Sequence, residues 1–440
     1  MDLKRKLPLK IILGFIFLIL LLYNFKIAND YKYEAGGDAS DYIHLSLNLA
    51  KTGNYGHVNT SKEAILDDFK ADRVKTKDFT FTKSTAFRPP VWPILISGIF
   101  LIFDYNITYV IIFKFLLHIL GLFIFYRTLK ILKLQEIIII IGTFLYGINP
   151  AWQLYSRVFL SEPITFFFIT LWVYLLIRFV KLKSGFLPQA VVGGIIILSH
   201  PYYIFLPFFV WLVVYLKKEM KLKMFFASSL ICAAMVSTWI IRNLAIWETD
   251  KIVLTTSSGA VMAKGWNQDV PEMHTNTKGD LADETLVLEN YNFSSDKTRN
   301  EVERMELYKD ATFHFIKTNP DLILPIIWKK LKSAFNPLPE TPKPGLLETS
   351  RVIFQVLSLF ALLYLIFFSR NKLLQSLAVS LILSTIAITI ITYSGFRFRM
   401  PQVGIELLII IYVIDDILKM RRKKKSLKGK QVPLSIKRYK

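Results

Sequence analysis

Long apolar runs separated by short polar or basic segments make up most of this chain. Several runs approach or exceed the ~18 apolar residues that a helix needs to cross a bilayer. The pattern therefore predicts an all-α integral membrane protein, a polytopic bundle of about ten transmembrane helices. We place these spans near residues 9–25, 107–126, 136–154, 158–180, 186–201, 203–217, 222–241, 351–369, 373–393 and 402–419.

The first apolar run follows a basic start, and no A-x-A cleavage pattern comes after it. Residues 1–25 therefore resemble a retained signal anchor with its N-terminus in the cytoplasm. Residues 26–106 would then form a first outer loop. Within it we predict a short amphipathic helix from Asp41 to Ala50 on the membrane surface. The Pro-flanked run from Phe87 to Phe103 is short for a span, and we predict a re-entrant or interfacial helix there.

The rest of the chain divides at a polar break. A transmembrane bundle covers residues 107–241, and a large outer loop covers 242–350. In this loop the pattern predicts a charged helix over 296–318 and an interfacial helix over 320–335. C-terminal transmembrane helices occupy residues 351–419, and a basic cytoplasmic tail follows over 420–440.

The net charge of +22 is explained by orientation rather than by a nucleic-acid partner. If the run from Phe87 does not cross the membrane, every short basic loop falls on the cytoplasmic side, as the positive-inside rule requires. The mean hydropathy of +0.41 agrees with a membrane protein. The single cysteine, Cys232, excludes a disulfide framework and a cysteine-based metal site, and no metal or other cofactor is predicted.

Ionisable residues gather at the predicted outer ends of the spans. Such residues are costly at membrane depth and usually have a structural or functional partner. The set comprises Asp38, Asp41, Arg88, Glu162, His200, Arg242, Arg397 and Arg399.

Asp38 follows two glycines, so the chain can turn there and bring its carboxylate close to a ligand. A carboxylate at the edge of a low-dielectric cavity is suited to act as a general base toward a hydroxyl. The alternative is that Asp38, or more readily Asp41, caps the helix predicted to begin near Asp41.

Arginines near later span ends offer a phosphate-binding hypothesis. In an extended FRFR segment Arg397 and Arg399 would point the same way and bind one phosphate. Arg242, at the outer end of another span, is a third candidate for binding this phosphate. Interfacial snorkelling is the alternative for all three arginines. Glu162 opens a helix before Pro163, where capping and the helix dipole suffice as an explanation. For His200, a polar group buried beside a helix break is the alternative to a catalytic role.

Several local patterns occur in an order that resembles the bacterial branch of the membrane-embedded GT-C glycosyltransferases. The resemblance is nearest to the family of protein O-mannosyltransferases and the lipid A aminoarabinose transferase, and it covers residues 10 to 420. The patterns are GDASDY, GNYG, FRPPVWPILI, SEPITFFFITLWVYLL, SHPYYIFLPFFVW, WIIRNLAIW and FRFRMP.

This resemblance implies an enzyme with an active-site cavity on the outer face of a bacterial inner membrane. The donor would be a sugar on a polyprenyl phosphate, and the acceptor a lipid, glycan or protein. Asp38 would act near the acceptor, and Arg397 and Arg399 would bind the donor phosphate. The RPP and SEP elements correspond to Arg88 and Glu162.

Two positions depart from the family pattern. Ala39 follows Asp38 where many relatives have a second acidic residue, and His200 precedes the proline where relatives often have arginine. Two other function classes suit the same residues. One is a transporter or flippase of lipid-linked sugars, and the other is a surface-polysaccharide polymerase or ligase. If the protein is an enzyme, we expect Asp38, Arg88, Arg397 and Arg399 to converge on one cavity, and this convergence distinguishes the enzyme from the other classes.

Overall fold

The prediction of a largely helical chain is confirmed in a computed structural model. The structure describes residues 14–15, 17–23, 26, 37–149, 152, 155–156, 158–272, 283–289, 300–336, 345–393 and 395–429. In this part of the chain the β structure is one antiparallel hairpin of β1 (Gly56–Val58) and β2 (Phe81–Ser84).

The α-helices follow one another with short connections in most of the chain. They are α1 (Gly37–Thr52), α2 (Lys62–Lys70), α3 (Val91–Ile102), α4 (Ile107–Ile131), α5 (Glu136–Gly147), α6 (Glu162–Leu182), α7 (Phe186–Ser199), α8 (Leu206–Leu216), α9 (Leu222–Trp247), α10 (Ser258–Lys264), α11 (Glu301–Thr318), α12 (Pro320–Phe335), α13 (Leu346–Phe367), α14 (Lys372–Ile391), α15 (Phe396–Arg399) and α16 (Val403–Gly429). Short 3-10 turns occupy Pro201–Tyr203, Glu284–Leu288 and Met400–Gln402.

Five helices in the described part are long and apolar enough to cross a membrane, against the ten spans predicted. They lie at Ile107–Ile131, Glu162–Leu182, Leu222–Trp247, Glu348–Phe367 and Lys372–Ile391. Helices α5, α7 and α8 are apolar but have only 11 to 14 residues. Helix α16 is long, but its first eighteen residues include Glu406, Asp415, Asp416 and Lys419.

Both ends of the chain extend beyond the description. Residues 17–23 of the predicted anchor are helical, and Leu20 is fully buried. A Cβ added at Gly147 would meet Leu20 Cδ1 at 2.7 Å, so this helix packs closely on α5. The remainder of the anchor prediction lies outside the described residues. At the other end, α16 continues as helix through residue 429, and residues 430–440 of the predicted tail are not described.

A large apolar core joins the central helices. Helix α6 is the most enclosed of the five helices long and apolar enough to span a membrane, since 78% of its most apolar 18-residue stretch is buried. Helices α4, α7 and α16 pack around it. Trp172 and Trp211 meet edge to face within this core. By contrast, only 17% of the corresponding stretch of α9 is buried. The unburied apolar faces agree with a helix bundle whose solvent is largely lipid.

The segment before the first long helix forms a second core rather than a surface layer. The helix predicted over Asp41–Ala50 is longer, beginning at Gly37, and it is buried rather than lying on a membrane surface. Tyr42, Ile43 and Leu47 pack with Trp92 and other residues of α3. The predicted position on a membrane surface was wrong because α3 and the hairpin pack on faces of this helix that the local sequence pattern predicted to be exposed.

The polar segment 242–350 contains the two predicted helices. Helix α12 has the predicted bounds, Pro320–Phe335. Helix α11 begins at Glu301, behind a capping box in which Asn300 and Glu303 bond each other's backbone N–H groups. Lys330 ties α12 to α14, since its Nζ donates to the Ile390 carbonyl at 2.8 Å and lies 4.2 Å from the Trp266 ring. This segment therefore packs against the bundle.

Gly259 permits the contact between α10 and α11. A Cβ there would lie 2.2 Å from the Met305 carbonyl oxygen, which is backbone and cannot rotate away. We expect Gly259→Ala to destabilise the fold by about 1–3 kcal/mol, measured as a lower thermal unfolding midpoint in detergent.

The matched control is Gly98→Ala in α3, where an added Cβ meets no atom within 4 Å. This change should be neutral or slightly stabilising because alanine favours helix. Equal midpoints for the two variants would contradict the close approach of α10 and α11.

Candidate functional site

Asp38 and Asp41 lie on one face of α1. They are three residues apart in the first turns of a helix that begins at Gly37, which has a φ of +64°. Because the helix begins before Asp38, neither aspartate caps a helix that starts near Asp41, and that interpretation was wrong. Both carboxylates instead bind side chains from other parts of the chain.

Arg88 connects the two aspartates. Its Nη2 lies 2.5 Å from Asp38 Oδ1 and 2.7 Å from Asp41 Oδ2, and its Nε donates to Asp41 Oδ2 at 3.0 Å. The Tyr55 hydroxyl donates to the Arg88 carbonyl at 3.0 Å and so fixes the backbone from which the guanidinium extends. Lys62, at the start of α2, pairs with the other oxygen of Asp41.

Arg397 reaches the second oxygen of Asp38 from the far end of the sequence. Its Nη2 lies 2.5 Å from Asp38 Oδ2, and its Nε donates to Glu162 Oε1. Glu162 is fully buried at the N-terminus of α6, followed by Pro163. Each oxygen of Asp38 therefore has its own guanidinium.

We call these six side chains the carboxylate–arginine cluster. They supply three cationic and three carboxylate groups, so the cluster is balanced in charge. Its members are Asp38, Asp41, Lys62, Arg88, Glu162 and Arg397.

The charge state of Asp38 follows from these contacts. Burial by itself would raise its pKa, but the nearby charges of Arg88 and Arg397 outweigh burial and hold the pKa of Asp38 below its usual value. Asp38 is therefore a stable carboxylate and a weak base while both guanidiniums contact it. An anion that bound the arginines would weaken those contacts and raise the basicity of Asp38.

Arg399 does not belong to the cluster. Residues Phe396–Arg399 form a helical turn, so side chains two positions apart differ by roughly 200° about the axis. Arg399 is 4% exposed and pairs with Glu406 at 2.9 Å and with the Ala334 carbonyl at 3.0 Å. The expectation that Arg397 and Arg399 bind one phosphate together was wrong because it assumed an extended segment.

Arg242 has a structural position near the hairpin. It donates to the backbone carbonyls of Thr85 and Tyr55, each at 2.8 Å, and its guanidinium lies 4.6 Å from the Trp239 ring. These bonds hold the hairpin against α9. Arg242 therefore stabilises the segment that presents Arg88, and its hydrogen bonds go to Thr85, Tyr55 and Asn243 rather than to Asp38.

His200 lies beside the cluster at the break after α7. Its ring is 5.8 Å from the rings of Tyr203 and Phe398, and Phe398 adjoins Arg397. Its buried Nδ1 has no hydrogen-bond partner among the described residues. His200 thus lines the aromatic side of the cluster without an ion pair.

One member of the cluster, Lys62, and one neighbouring residue, Tyr42, were not predicted from the sequence. Lys62 is not part of a recognisable motif. Its position in the first turn of a helix, where the helix dipole disfavours a cation, is the one sequence signal that it needs a carboxylate partner. Tyr42 joins α1 to the start of α6 through a hydrogen bond from its hydroxyl to Ser161 Oγ at 3.1 Å. Both positions depend on packing between segments far apart in the chain.

Comparison with protein-family models, curated proteins and solved structures finds no match. Within the described residues, no group of three or more His, Cys, Asp or Glu side chains is arranged to hold a metal ion.

The ion pair between Arg397 and Glu162 yields a stability prediction. We expect Arg397→Met to cost about 3 kcal/mol, near the lower end for a broken buried pair, because it leaves the Glu162 carboxylate without its cation. The midpoint of thermal unfolding in detergent measures the loss.

The double variant Arg397→Met/Glu162→Gln removes the stranded charge and should recover part of that stability. If the double variant is no more stable than Arg397→Met alone, Glu162 does not depend on this arginine.

Proposed function

We propose that the protein is a membrane glycosyltransferase that moves a sugar from a polyprenyl-phosphate donor to a hydroxyl of a lipid, glycan or protein acceptor. The observation that carries the proposal is the Asp38 carboxylate held between two guanidiniums, Arg88 and Arg397, at one end of an apolar helix bundle. A base and cations for a phosphate are the groups that this transfer needs.

The arginines would bind the donor phosphate. A guanidinium remains charged at every physiological pH and forms two parallel hydrogen bonds to phosphate oxygens. Arg88 and Arg397 are partly exposed, with 18% and 25% of their side chains accessible, so a ligand can reach them. Arg399, which pairs with Glu406, and Arg242, which donates to the Thr85 and Tyr55 carbonyls, do not take part.

The balanced charge of the cluster suggests an exchange of partners. A phosphate that binds Arg397 and Arg88 competes with Asp38 for the same donors. As these contacts lengthen, Asp38 becomes a stronger base at the moment when the donor is in place. The cluster would thus remain inactive until a donor arrives.

The transfer itself would be a single displacement. The acceptor oxygen attacks the anomeric carbon while its proton moves to an Asp38 carboxylate oxygen. The bond from the anomeric carbon to the phosphate oxygen breaks, and the electron pair leaves with the polyprenyl phosphate, whose charge the arginines stabilise. A base opposite the leaving group implies inversion at the anomeric carbon, by analogy with glycoside hydrolysis.

Location supports the same proposal. A polyprenyl chain is confined to lipid, and α9 and α13 expose apolar faces suited to lipid. The distribution of basic loops would orient the cluster toward the outer side of a bacterial inner membrane. The partners would then be a lipid-linked donor, an acceptor on that side and the surrounding membrane lipids.

Asp38→Asn tests the base directly. We expect transfer to fall at least ~100-fold, because an amide cannot accept the hydroxyl proton. The measurement is the release of labelled sugar from a panel of polyprenyl-phosphate hexoses and pentoses by membranes that contain the protein.

Asp67→Asn is the matched control, since Asp67 is 66% exposed and its ion pair among the described residues is with Lys70, at 3.8 Å. It should transfer at the wild-type rate. Wild-type transfer by a folded, membrane-inserted Asp38→Asn variant would end the assignment of Asp38 as base.

Arg88→Gln tests the electrostatic coupling through pH. In the wild type, kcat/KM should persist below the usual pKa range of aspartate and decline only as pH falls through the lowered pKa of Asp38. Without Arg88 that pKa rises, so the acidic limb of the profile should move to higher pH.

Arg73→Gln is the control arginine, as Arg73 is 62% exposed and pairs with Asp68 outside the cluster. Its profile should match the wild type. If the acidic side of the kcat/KM profile lies at the same pH in Arg88→Gln as in the wild type, the titration of Asp38 does not determine that part of the profile.

A further inference from the structure

A second polar space lies next to the cluster. We call it the hairpin cavity: it has a volume of about 280 Å³ and is bounded by α1, the β hairpin and α11. Asp41, Lys62 and Arg88 line it, and all three also belong to the carboxylate–arginine cluster. The two sites therefore share one wall.

Positive charge exceeds negative charge around the hairpin cavity. Its lining includes four cationic side chains, Lys62, Lys83, Arg88 and Arg304, and two carboxylates, Asp41 and Glu301. Lys62 and Arg88 are paired with Asp41.

Among the described residues, Glu301 makes its ion contact with His57 Nε2, at 3.7 Å, and not with Lys83 or Arg304. Its carboxylate accepts hydrogen bonds from the Thr85 and Thr256 hydroxyls, at 2.7 Å each, and from the Ala86 N–H at 3.1 Å. The structure gives Lys83 and Arg304 no carboxylate partner within 4 Å in the described part of the chain. Two cations that face the same space are thus left for a ligand.

His44 supplies a second, independent observation. It lines the hairpin cavity, is 5% exposed, and its Nε2 has no hydrogen-bond partner among the described residues. The His44 ring forms a hydrogen bond with the backbone of Thr60. Because Nε2 has no partner, Nδ1 is the nitrogen that makes this hydrogen bond. Burial, with the charges of His57 and Lys62, lowers the pKa of His44 to about 4, so the ring is neutral at pH 7.

The tautomer defines what His44 can bind. With Nδ1–H donating to a carbonyl, Nε2 carries a lone pair and accepts a hydrogen bond. The complementary ligand group is a hydroxyl. Leaving a buried acceptor unsatisfied is unfavourable, so a hydroxyl at this position would be bound with a gain in free energy.

The size limits the ligand to a small group. Typical ligand pockets enclose ~300–1,000 Å³, and the hairpin cavity is just below that range. It has room for one sugar ring with an attached anionic group.

We propose that the hairpin cavity binds an anionic saccharide, with Lys83 and Arg304 contacting the anionic group and His44 accepting from a ring hydroxyl. The assignment of this saccharide as the acceptor rests on the proposed glycosyltransferase function, because the shared Asp41–Arg88 wall places it beside Asp38. The same chemistry occurs in a free sugar phosphate and in a phosphorylated lipid headgroup.

The test measures binding without any transfer step. Purified full-length protein in phosphatidylcholine nanodiscs is equilibrated with radiolabelled glucose 6-phosphate, with inorganic phosphate and glucose in parallel. Wild-type protein should bind glucose 6-phosphate more tightly than either fragment. Lys83→Gln/Arg304→Gln should weaken its binding at least ~10-fold, because charged hydrogen bonds are lost.

The control pair Lys251→Gln/Lys317→Gln removes the same charge from exposed sites outside the cavity and should bind as the wild type does. His44→Phe should weaken the binding of glucose 6-phosphate but not that of inorganic phosphate. His44→Gln keeps a hydrogen-bond acceptor and should therefore bind glucose 6-phosphate as the wild type does. Thermal midpoints show that each variant is folded.

A second arm identifies the source of the saccharide. Nanodiscs that contain phosphatidylinositol, whose headgroup has both phosphate and hydroxyls, should displace glucose 6-phosphate if the natural ligand is a lipid headgroup. Unchanged glucose 6-phosphate affinity in these nanodiscs supports a water-soluble ligand.

The proposal is overturned if wild-type protein binds glucose 6-phosphate no more tightly than inorganic phosphate or glucose. It is also overturned if folded Lys83→Gln/Arg304→Gln and His44→Phe variants bind glucose 6-phosphate normally. Failure of the proposed function has a different signature. In that case Asp38→Asn would transfer sugar at the wild-type rate while binding in the hairpin cavity persists.

Discussion

The need to neutralise the buried charges around Asp38 organises one end of this molecule. A charged side chain that leaves water loses several kcal/mol of solvation, which only close opposite charges and hydrogen bonds offset. Asp38 meets this requirement through Arg88 on one oxygen and Arg397 on the other, and Arg397 in turn neutralises the fully buried Glu162. The contacts join α1, the connection before α3, the start of α6 and the segment before α16. Separating these pieces would leave the fully buried Glu162, or the partly buried Asp38, without a charge partner.

This constraint also shapes the proposed chemistry. A carboxylate with two arginines is stable but weakly basic, whereas a glycosyl transfer requires a base and a site for an anionic leaving group. Both requirements are met by the same three side chains if an incoming phosphate replaces the carboxylate as the partner of the arginines. The interaction that stabilises the resting fold would thus be the one that a donor uses for binding.

The hairpin extends the polar region away from the bundle. Arg242 and Glu301 fix it from two sides, through the Thr85 and Tyr55 carbonyls and through the Thr85 and Thr256 hydroxyls. These anchors explain why a small two-stranded sheet persists in a helical protein, since an isolated hairpin is only marginally stable. They also keep the hairpin cavity open between α1 and α11, where a proposed saccharide would lie beside the cluster.

Local pattern determined a large part of this protein. Apolar run length predicted a helical membrane protein, Pro320 marked the start of α12, and Pro163 marked the opening of α6, because hydrophobic period and proline geometry act within a few residues. The sequence also identified Asp38, Arg88, Glu162 and Arg397 as charges that needed partners. It could not assign those partners, since an ion pair between positions 38 and 397 leaves no local signature. Tertiary packing alone decided that α1 is buried, that Arg399 faces Glu406 rather than the cluster, and that Arg242 supports the hairpin. The physical reason is that helix direction and side-chain rotation depend on which distant segment covers each face.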